Sequence, residues 1–360
     1  MKDNKVCLIN LALDIGGAQR HTADLANFLA ENDCQVSIIL LSKAPVCFKL
    51  SSDINLIEPD FKMQRSVKGK LVHMTRLIRY IRKSLKMVDP GVIFNASSPS
   101  FLLAATVGLN YPMYLTIRCN PLYTKLIESF SVPLIIRKIL YRRLKGIIAQ
   151  TNFAAYILDR QFSTNAIIVI PNYIRPLPTL RVAKKNQIVS VGRLIKSKGF
   201  DYLLRAFALI KNADWKLMIV GDGPESSNLK QLAVSLAIEE NVVFTGAKND
   251  VNQCLQESKI FAFTSLSEGF PNALMEAMAT PLACISFNCD AGPADIIEDG
   301  KSGFLITPKD INAFAEKLSV LMNDEMLRTV FMEEAYKITV KNSLEKIGKR
   351  YLDLIAVKEN

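Results

Sequence analysis

Histidine is nearly missing from this sequence: His21 and His73 are the only two in 360 residues, too few for a multi-histidine metal centre. The seven cysteines (Cys7, Cys34, Cys47, Cys119, Cys254, Cys284 and Cys289) are odd in number, scattered, and nowhere in Cys-x-x-Cys spacing. That pattern argues against a disulfide framework and a zinc site, and it suits a reducing cytosol. Long apolar runs are missing too. The longest, Phe101 to Leu109, is broken by Thr106 and Gly108 and falls well short of the ~20 residues that span a bilayer. Near the N-terminus, Val6 to Leu13 contains Asn10 and stops at Asp14; despite Lys2 and Lys5 it reads as a first strand and not a signal peptide.

What remains is a chain long enough for two domains with full cores, 49% hydrophobic and 22% charged, the composition of a soluble α/β enzyme. Its net charge of +11 is unevenly spread: residues 1–175 hold 23 Lys+Arg against 11 Asp+Glu, and residues 176–360 hold 22 against 23. A basic first half points to a polyanionic or membrane-surface partner. Nucleic acid is one such partner, but no nucleic-acid module and no basic run interleaved with aromatics is visible.

Short apolar strands alternate with helical patterns throughout, as in a doubly wound parallel sheet. The first half offers strands Val6–Leu11, Val36–Leu41, Val92–Asn95, Met113–Ile117, Ile147–Ala149 and Ile167–Ile170, with helices Ala18–Glu31 and Leu71–Met87. The second offers Ile188–Val191, Lys216–Val220, Val242–Phe244, Ile260–Thr264, Leu282–Phe287 and Gly303–Ile306, with five shorter helices between. Three prolines within Pro171–Pro178 rule out a helix there and mark a linker. The expected domains are 1–175 and 176–340, with a C-terminal helix in 341–360.

The most telling segment is Ser265-Leu266-Ser267-Glu268-Gly269-Phe270-Pro271-Asn272-Ala273-Leu274-Met275-Glu276, directly after the apolar Ile260–Phe263. It reads as strand, tight loop and helix, with Pro271 pre-set for the first helical position. One carboxylate then precedes the helix and the other lies about one turn inside it. Between them are the unpaired N–H groups of a helix start, which suit phosphate. Two acids flanking a phosphate cradle match a ligand with hydroxyls at both ends and a pyrophosphate between, as in a nucleotide sugar. The segment resembles the Glu-x7-Glu motif of retaining glycosyltransferases of family four, the glycogen-synthase-like and bacterial-polysaccharide kind.

Other segments in the same order extend the resemblance. Gly192-Arg193-Leu194…Lys198-Gly199 is similar to the family's Gly-Arg-Leu…Lys-Gly element, whose cations hold the donor diphosphate; charge grows on the β-phosphate as the sugar departs, and fixed cations stabilise it. Val220-Gly221-Asp222-Gly223-Pro224-Glu225 breaks the dinucleotide fingerprint at Ser226 and matches a donor-domain turn whose Pro224 starts a helix. Backbone around Ala247 and Lys248 corresponds to the nucleobase contact. Gly292-Pro293-Ala294-Asp295-Ile296-Ile297 resembles Gly-Pro-x-Glu-Ile-Ile, with Asp295 expected to cap a helix. In the first half, Gly16-Gly17-Ala18-Gln19-Arg20 resembles the Gly-Gly-x-x-Arg loop, whose helix-start amides face a phosphate. The strand end at Leu115-Thr116-Ile117-Arg118-Cys119-Asn120 lacks the histidine many relatives carry, which leaves Arg118 or Asn120 as the candidate there and His21 as a helix-surface residue.

The resemblance implies a GT-B fold, two Rossmann-like α/β domains facing a cleft, with the final helices, about Asp324 to Val357, crossing back to the first domain. It implies retaining transfer of a hexose or N-acetylhexosamine from a nucleoside-diphosphate sugar, for which UDP is the expected nucleotide, to a glycan or polyprenyl-diphosphate-linked acceptor, with no metal cofactor. Glu268, Arg193 and Lys198 would be catalytic. Gly16, Gly17, Ala247, Lys248, Gly269, Phe270, Pro271, Asn272, Ala273, Leu274 and Glu276 would bind donor, with Glu276 on the ribose. A nucleotide-sugar epimerase of the same fold and a basic nucleic-acid-binding protein are the alternative readings.

For the acceptor, the residues themselves speak. Between Asp60 and Asp89 there are nine basic residues (Lys62, Arg65, Lys68, Lys70, Arg76, Arg79, Arg82, Lys83, Lys86) and no acid. Leu71, Met74, Leu77, Ile78, Ile81 and Leu85 make an apolar stripe, with Arg76, Arg79, Lys83 and Lys86 at three- or four-residue steps. A packed helix with a solvated basic face explains the stripe; an anionic membrane surface or lipid diphosphate also explains the missing acids. A second cluster, Arg137, Lys138, Arg142, Arg143 and Lys145, lies among Leu134, Ile135, Ile136, Ile139 and Leu140. The acceptor-side candidates are Arg76, Arg79 and Lys83 from this basic stretch, with Arg20, Arg118 and Asn120 from the resembling loops, in a protein expected to be cytoplasmic and held peripherally at the membrane.

Overall fold

The structure is a computed structural model that describes residues 4–14, 16–61, 70–96, 99–122, 134–162, 166–175, 177–178, 180, 182–210, 214–248, 250–280 and 282–356. It divides into two compact units: Met1–Asn172 with Leu344–Asn360, and Tyr173–Ser343.

In the first unit the elements are β1 Lys5–Asn10, α1 Gly17–Glu31, β2 Gln35–Leu40, β3 Asn55–Ile57, α2 Lys70–Val88, β4 Val92–Asn95, α3 Pro99–Ala105, β5 Met113–Ile117, α4 Leu134–Tyr141, β6 Gly146–Ala149, α5 Asn152–Phe162 and β7 Ala166–Val169. Among the described residues the strands form one parallel sheet in the order β3-β2-β1-β4-β5-β6-β7. The order reverses beside β1, the mark of a doubly wound sheet. Strand period sets the two faces. Cys7 and Ile9 of β1 join a core with Leu77, Ile81 and Leu85 of α2, so these three positions of the expected stripe are buried as their spacing requires, with Met74 and Ile78 half-buried beside them.

The second unit contains β8 Gln187–Val191, α6 Phe200–Ile210, β9 Lys216–Val220, α7 Ser226–Ser235, β10 Val242–Phe244, α8 Asn252–Glu257, β11 Ile260–Phe263, α9 Asn272–Met278, β12 Ala283–Phe287, α10 Pro293–Ile296, β13 Phe304–Ile306, α11 Ile311–Asn323, α12 Glu325–Tyr336 and α13 Ile338–Lys341. Its parallel order is β10-β9-β8-β11-β12-β13, with the reversal at β8. Ile260 and Ala262 of β11 face one core and Phe261 and Phe263 the other, so both faces are covered and the strands read as near-continuous apolar runs.

Two sequence expectations differ from the structure. The boundary falls at Asn172, because Ile174 bridges Ser343 and its N–H bonds Asn342 O at 2.7 Å, which draws the linker's start into the second unit. Of the final helices, only α14 Leu344–Ala356 belongs to the first unit. α12 and α13 stay in the second, where Phe331, Ala335 and Ile338 enter its cores. On α14, Gly348 sits where a Cβ would overlap the Phe28 ring, and α14 packs closely on α1. The short edge strand β3 gives too little alternation to be read from sequence. Among the described residues no helix is long and apolar enough to cross a membrane.

The same packing buries His21, the fifth residue of α1: its ring lies 6.3 Å from that of Tyr351 of α14, and it is not on the surface as its neighbour Arg20 suggested. Burial, and after it the Arg118 guanidinium, pushes its pKa well below the ordinary value. The folded state therefore holds the neutral ring, while the unfolded chain takes up a proton below pH ~6.5. The resulting stability is complete above that value and is lost as pH falls through it, at up to about 1.4 kcal/mol per pH unit. His21→Gln is expected to flatten this acid limb by one proton's slope, measured as urea midpoints between pH 7 and pH 5.

Candidate functional site

The loops after β8 and β11 leave the carboxyl ends of adjacent strands in opposite directions, the position where doubly wound sheets bind ligands. Here the two loops are strapped together. Leu266 N–H donates to Ser197 O at 2.8 Å, and Thr264 Oγ1 lies 3.4 Å from Lys198 O. Lys196–Lys198 form a 3-10 turn that ends at Gly199 in the left-handed region, φ +61°, where any Cβ would run into the Thr264 carbonyl.

This seat brings Lys198 and Glu268 together. Lys198 Nζ lies 2.5 Å from Glu268 Oε1, with the two side chains 23% and 9% exposed, the most enclosed ion pair among the described residues. Ser265 Oγ donates to the same oxygen at 2.5 Å. Lys198 Nζ also lies 5.7 Å from the Phe263 ring centroid, a favourable cation–π position. Cys289, buried beyond β12, has its thiol pushed up to about 12, first by burial and next by the Glu268 charge. Sequence reasoning assigned Ser265 no part. The available signal was its Ser-x-x-Glu spacing, which places a hydroxyl and a carboxylate within local reach.

Arg193 is on the β8 loop with an exposed side chain. Glu276 is half-buried at the fifth position of α9. Pro271 is the residue before α9 and not its first, and Asn272 N–H is already bonded to Phe270 O at 3.0 Å, so that amide is turned inward. Phe270, Pro271 and Leu274 bury their side chains and leave only backbone for a ligand; Gly269 and Ala273 are half-buried. Gly292 abuts the Pro271 ring, so the loop after β12 supports the α9 start. Asp295 lies within the first turn of α10, whose cap is Gly292, and does not cap it.

Ala247 and Lys248 are exposed after β10. Their loop is tied inward by Gly221 N–H to Gly246 O at 2.9 Å, and the next loops by Gly192 N–H to Val220 O at 3.0 Å and Leu194 N–H to Asp222 O at 2.9 Å. Backbone bonds thus run across the loops from β10 to β11. The helix expected at Pro224 starts two residues later, at Ser226.

In the first unit, Gly16 and Gly17 open α1 with no side-chain cap and no acid in the first turn. Asn10 Nδ2 donates to Thr22 Oγ1 at 2.8 Å, and Thr22 Oγ1 to Ala18 O at 3.1 Å. Arg118 Nη1 donates to the same carbonyl at 3.3 Å, while buried Asn120 accepts Leu122 N–H at 3.0 Å. Both acceptor-side candidates from β5 thus bond the unit's own backbone. Arg20 is exposed near the Phe48 ring, and Arg76 pairs with Asp60 at 2.6 Å. Arg79, Lys83 and Lys86 are exposed. Arg82 donates to Ala105 O and Val107 O, and Arg143 to Leu103 O, Thr106 O and Leu109 O, so two guanidiniums serve the carbonyl end of α3. Arg137 is buried against the Tyr141 and Phe162 rings. Part of both basic clusters is therefore internal structure. Lys62, Arg65 and Lys68 lie outside the described residues, as does the side chain of Lys70.

Two parallel doubly wound units in one chain are the architecture of GT-B enzymes. Residues 178–338 match the family model for glycosyl transferases group 1, and residues 15–176 that for glycosyltransferase family 4. A Haemophilus influenzae relative described as an uncharacterized glycosyltransferase is 31% identical over 94% of this chain and 96% of its own. A Campylobacter jejuni GalNAc-alpha-(1->4)-GalNAc-alpha-(1->3)-diNAcBac-PP-undecaprenol alpha-1,4-N-acetyl-D-galactosaminyltransferase is 25% identical over 99% of both. The crystal structure of a S. aureus TarM mutant in complex with fondaparinux, alpha-GlcNAc-glycerol and UDP shares the fold at a TM-score of 0.77 and 15% identity, over 98% of this chain and 99% of that one. The chain belongs to the family 4, group 1 glycosyltransferases. Membership in a glycosyltransferase family goes with the transferase reading of the sequence, in place of the epimerase and nucleic-acid-binding ones.

The Gly199 seat has a direct test. A residue with a Cβ in the left-handed region costs roughly 1–2 kcal/mol, and here the overlap with Thr264 adds to it. Gly300, at φ +72° with open space around it, carries only the conformational cost. Gly199→Ala is therefore expected to lower urea-unfolding stability by about 2 kcal/mol or more, and by more than Gly300→Ala.

Proposed function

We propose that this enzyme transfers a hexose or N-acetylhexosamine from a UDP-sugar, with retention at the anomeric carbon, to a polyprenyl-diphosphate-linked glycan. The observation that carries this reading is the enclosed Lys198–Glu268 pair at the switch point of the second sheet. An ammonium there meets a diphosphate, and a carboxylate held beside it accepts from sugar hydroxyls. As the anomeric C–O bond breaks, its electron pair leaves with the β-phosphate; Lys198 and Arg193 offset that charge, while the acceptor oxygen bonds to carbon and passes its proton to the departing phosphate. Glu276 is assigned to the ribose hydroxyls, backbone at Gly269 to Leu274 other than the bonded Asn272 N–H to the phosphates, and Ala247 and Lys248 to the base. The capless α1 start at Gly16 and Gly17 offers a further anion position. No metal is assigned a role. The UDP donor is supported by the UDP in the TarM complex, and the lipid-linked acceptor by the undecaprenol-linked substrate in the Campylobacter enzyme's name.

Mass spectrometry of products from UDP-hexoses and UDP-N-acetylhexosamines with polyprenyl-diphosphate-linked acceptors tests the reaction, and the NMR coupling constant of the new linkage tests retention. Glu268→Gln is expected to abolish nearly all transfer with the fold intact. Arg193→Ala and Lys198→Ala are each expected to lose about 100-fold or more in kcat. Near-wild-type rates in all three would refute the assignment.

The acceptor side rests on α2 and α4. Arg79, Lys83 and Lys86 are exposed on α2, and on α4 Ile136 and Ile139 are 47% and 59% exposed beside exposed Lys138. Apolar side chains among cations suit the headgroup region of an anionic bilayer. Arg79→Glu with Lys83→Glu is expected to weaken binding to anionic liposomes and raise KM for the lipid-diphosphate acceptor, with UDP affinity unchanged. Unaltered liposome binding and acceptor kinetics would make the α2 face an ordinary solvated one.

A further inference from the structure

Glu268 is held by one oxygen only. Lys198 Nζ and Ser265 Oγ both converge on Oε1 at 2.5 Å, and Oε2 bonds no described residue. The two holders differ in kind. Lys198 is a flexible four-carbon stem with three donors, 23% exposed. Ser265 is 1% exposed just beyond β11, its hydroxyl one bond from the Cβ and unable to follow a ligand. A bound diphosphate competes for the lysine ammonium; nothing comparable competes for the buried hydroxyl.

We propose that Ser265 is the positioning residue of Glu268: it keeps Oε1 in place when Lys198 turns toward phosphate, so that Oε2 faces the hydroxyls of the transferred sugar. This rests on the donor site proposed above. With Ser265 lacking its hydroxyl, the carboxylate follows the ammonium and the sugar loses its acceptor. The effect therefore falls on the sugar and not on the nucleotide, which separates positioning from a general role in the loop.

The test uses the full chain with Ser265→Ala, Ser265→Cys, Glu268→Gln and the Ser265→Ala/Glu268→Gln pair. Calorimetric titration with UDP and with the UDP-sugar the enzyme accepts is paired with donor kinetics. Ser265→Ala is expected to bind UDP within about twofold of wild type and to lose about tenfold or more in kcat/KM for the UDP-sugar, the scale of a hydrogen bond to a charged group. Ser265→Cys, a weaker donor of similar shape, is expected to fall between, and it serves if the alanine variant does not fold. In the Glu268→Gln background Ser265→Ala is expected to change UDP-sugar affinity by less than about twofold, because residues acting as a unit are not additive. Equal weakening of UDP and UDP-sugar by Ser265→Ala overturns the proposal, as does no effect where Glu268→Gln alone has a large one. If Glu268→Gln itself leaves UDP-sugar affinity and turnover unchanged, the donor-site reading falls and this inference with it.

Discussion

The organisation of the second unit's site depends on the close approach of Gly199 to the Thr264 carbonyl. Two parallel strands, β8 and β11, end side by side, and their loops would diverge without a reason to stay together. The left-handed turn at Gly199 supplies one: the lysine loop sits directly on the glutamate loop, with Leu266 N–H fastened to Ser197 O. Only then can a lysine and a glutamate seventy residues apart in sequence share a 2.5 Å contact. An opposed pair in water contributes little. Enclosed as this one is, removing either partner leaves a poorly solvated charge, which costs far more than the pair contributes. The arrangement therefore fixes side-chain position more than it adds stability.

The excess of positive charge in the first half has two uses that composition alone does not separate. Arg82 and Arg143 donate to carbonyls at the end of α3, and Arg137 lies against the stacked Tyr141 and Phe162 rings. Guanidinium suits this work, since a planar fork with several donors can serve carbonyls pointing in different directions. Arg79, Lys83, Lys86, Lys138 and Arg142 stay exposed. Among the described residues of the two basic clusters, the exposed remainder lies on α2 and on and just after α4.

Strand positions in this chain were legible because both faces of each sheet are covered, so each central strand is an uninterrupted apolar run bounded by polar turns. Val92–Asn95, Met113–Ile117 and Lys216–Val220 fall where the sequence places them. β3 was not legible, since an edge strand of three residues is half-exposed and carries no such run. The motif around Glu268 and Lys198 was visible as residue types at a spacing. Their contact, and Ser265 as its third member, depends on the β8–β11 adjacency and on one backbone conformation, which no local pattern encodes. His21 shows the converse limit: beside an exposed arginine at a helix start it reads as surface, and it is buried because α14, more than three hundred residues later, closes over it.

The same scaffold is used twice and furnished differently. After β1, the first strand of its sheet, the loop carries glycines, and neutral groups brace it: Asn10 holds Thr22, and Thr22 holds Ala18 O, with Arg118 reaching that carbonyl from β5. After β8, the first strand of the other sheet, the loop carries cations and is braced by backbone bonds to its neighbours, leaving Arg193 exposed and Lys198 on Glu268. A loop braced through its side chains presents backbone amides, which suit an anion whatever its shape. A loop braced through its backbone frees its side chains for groups that must be met by charge. The difference in bracing, and not in fold, is what gives two alike sheets unlike chemistry.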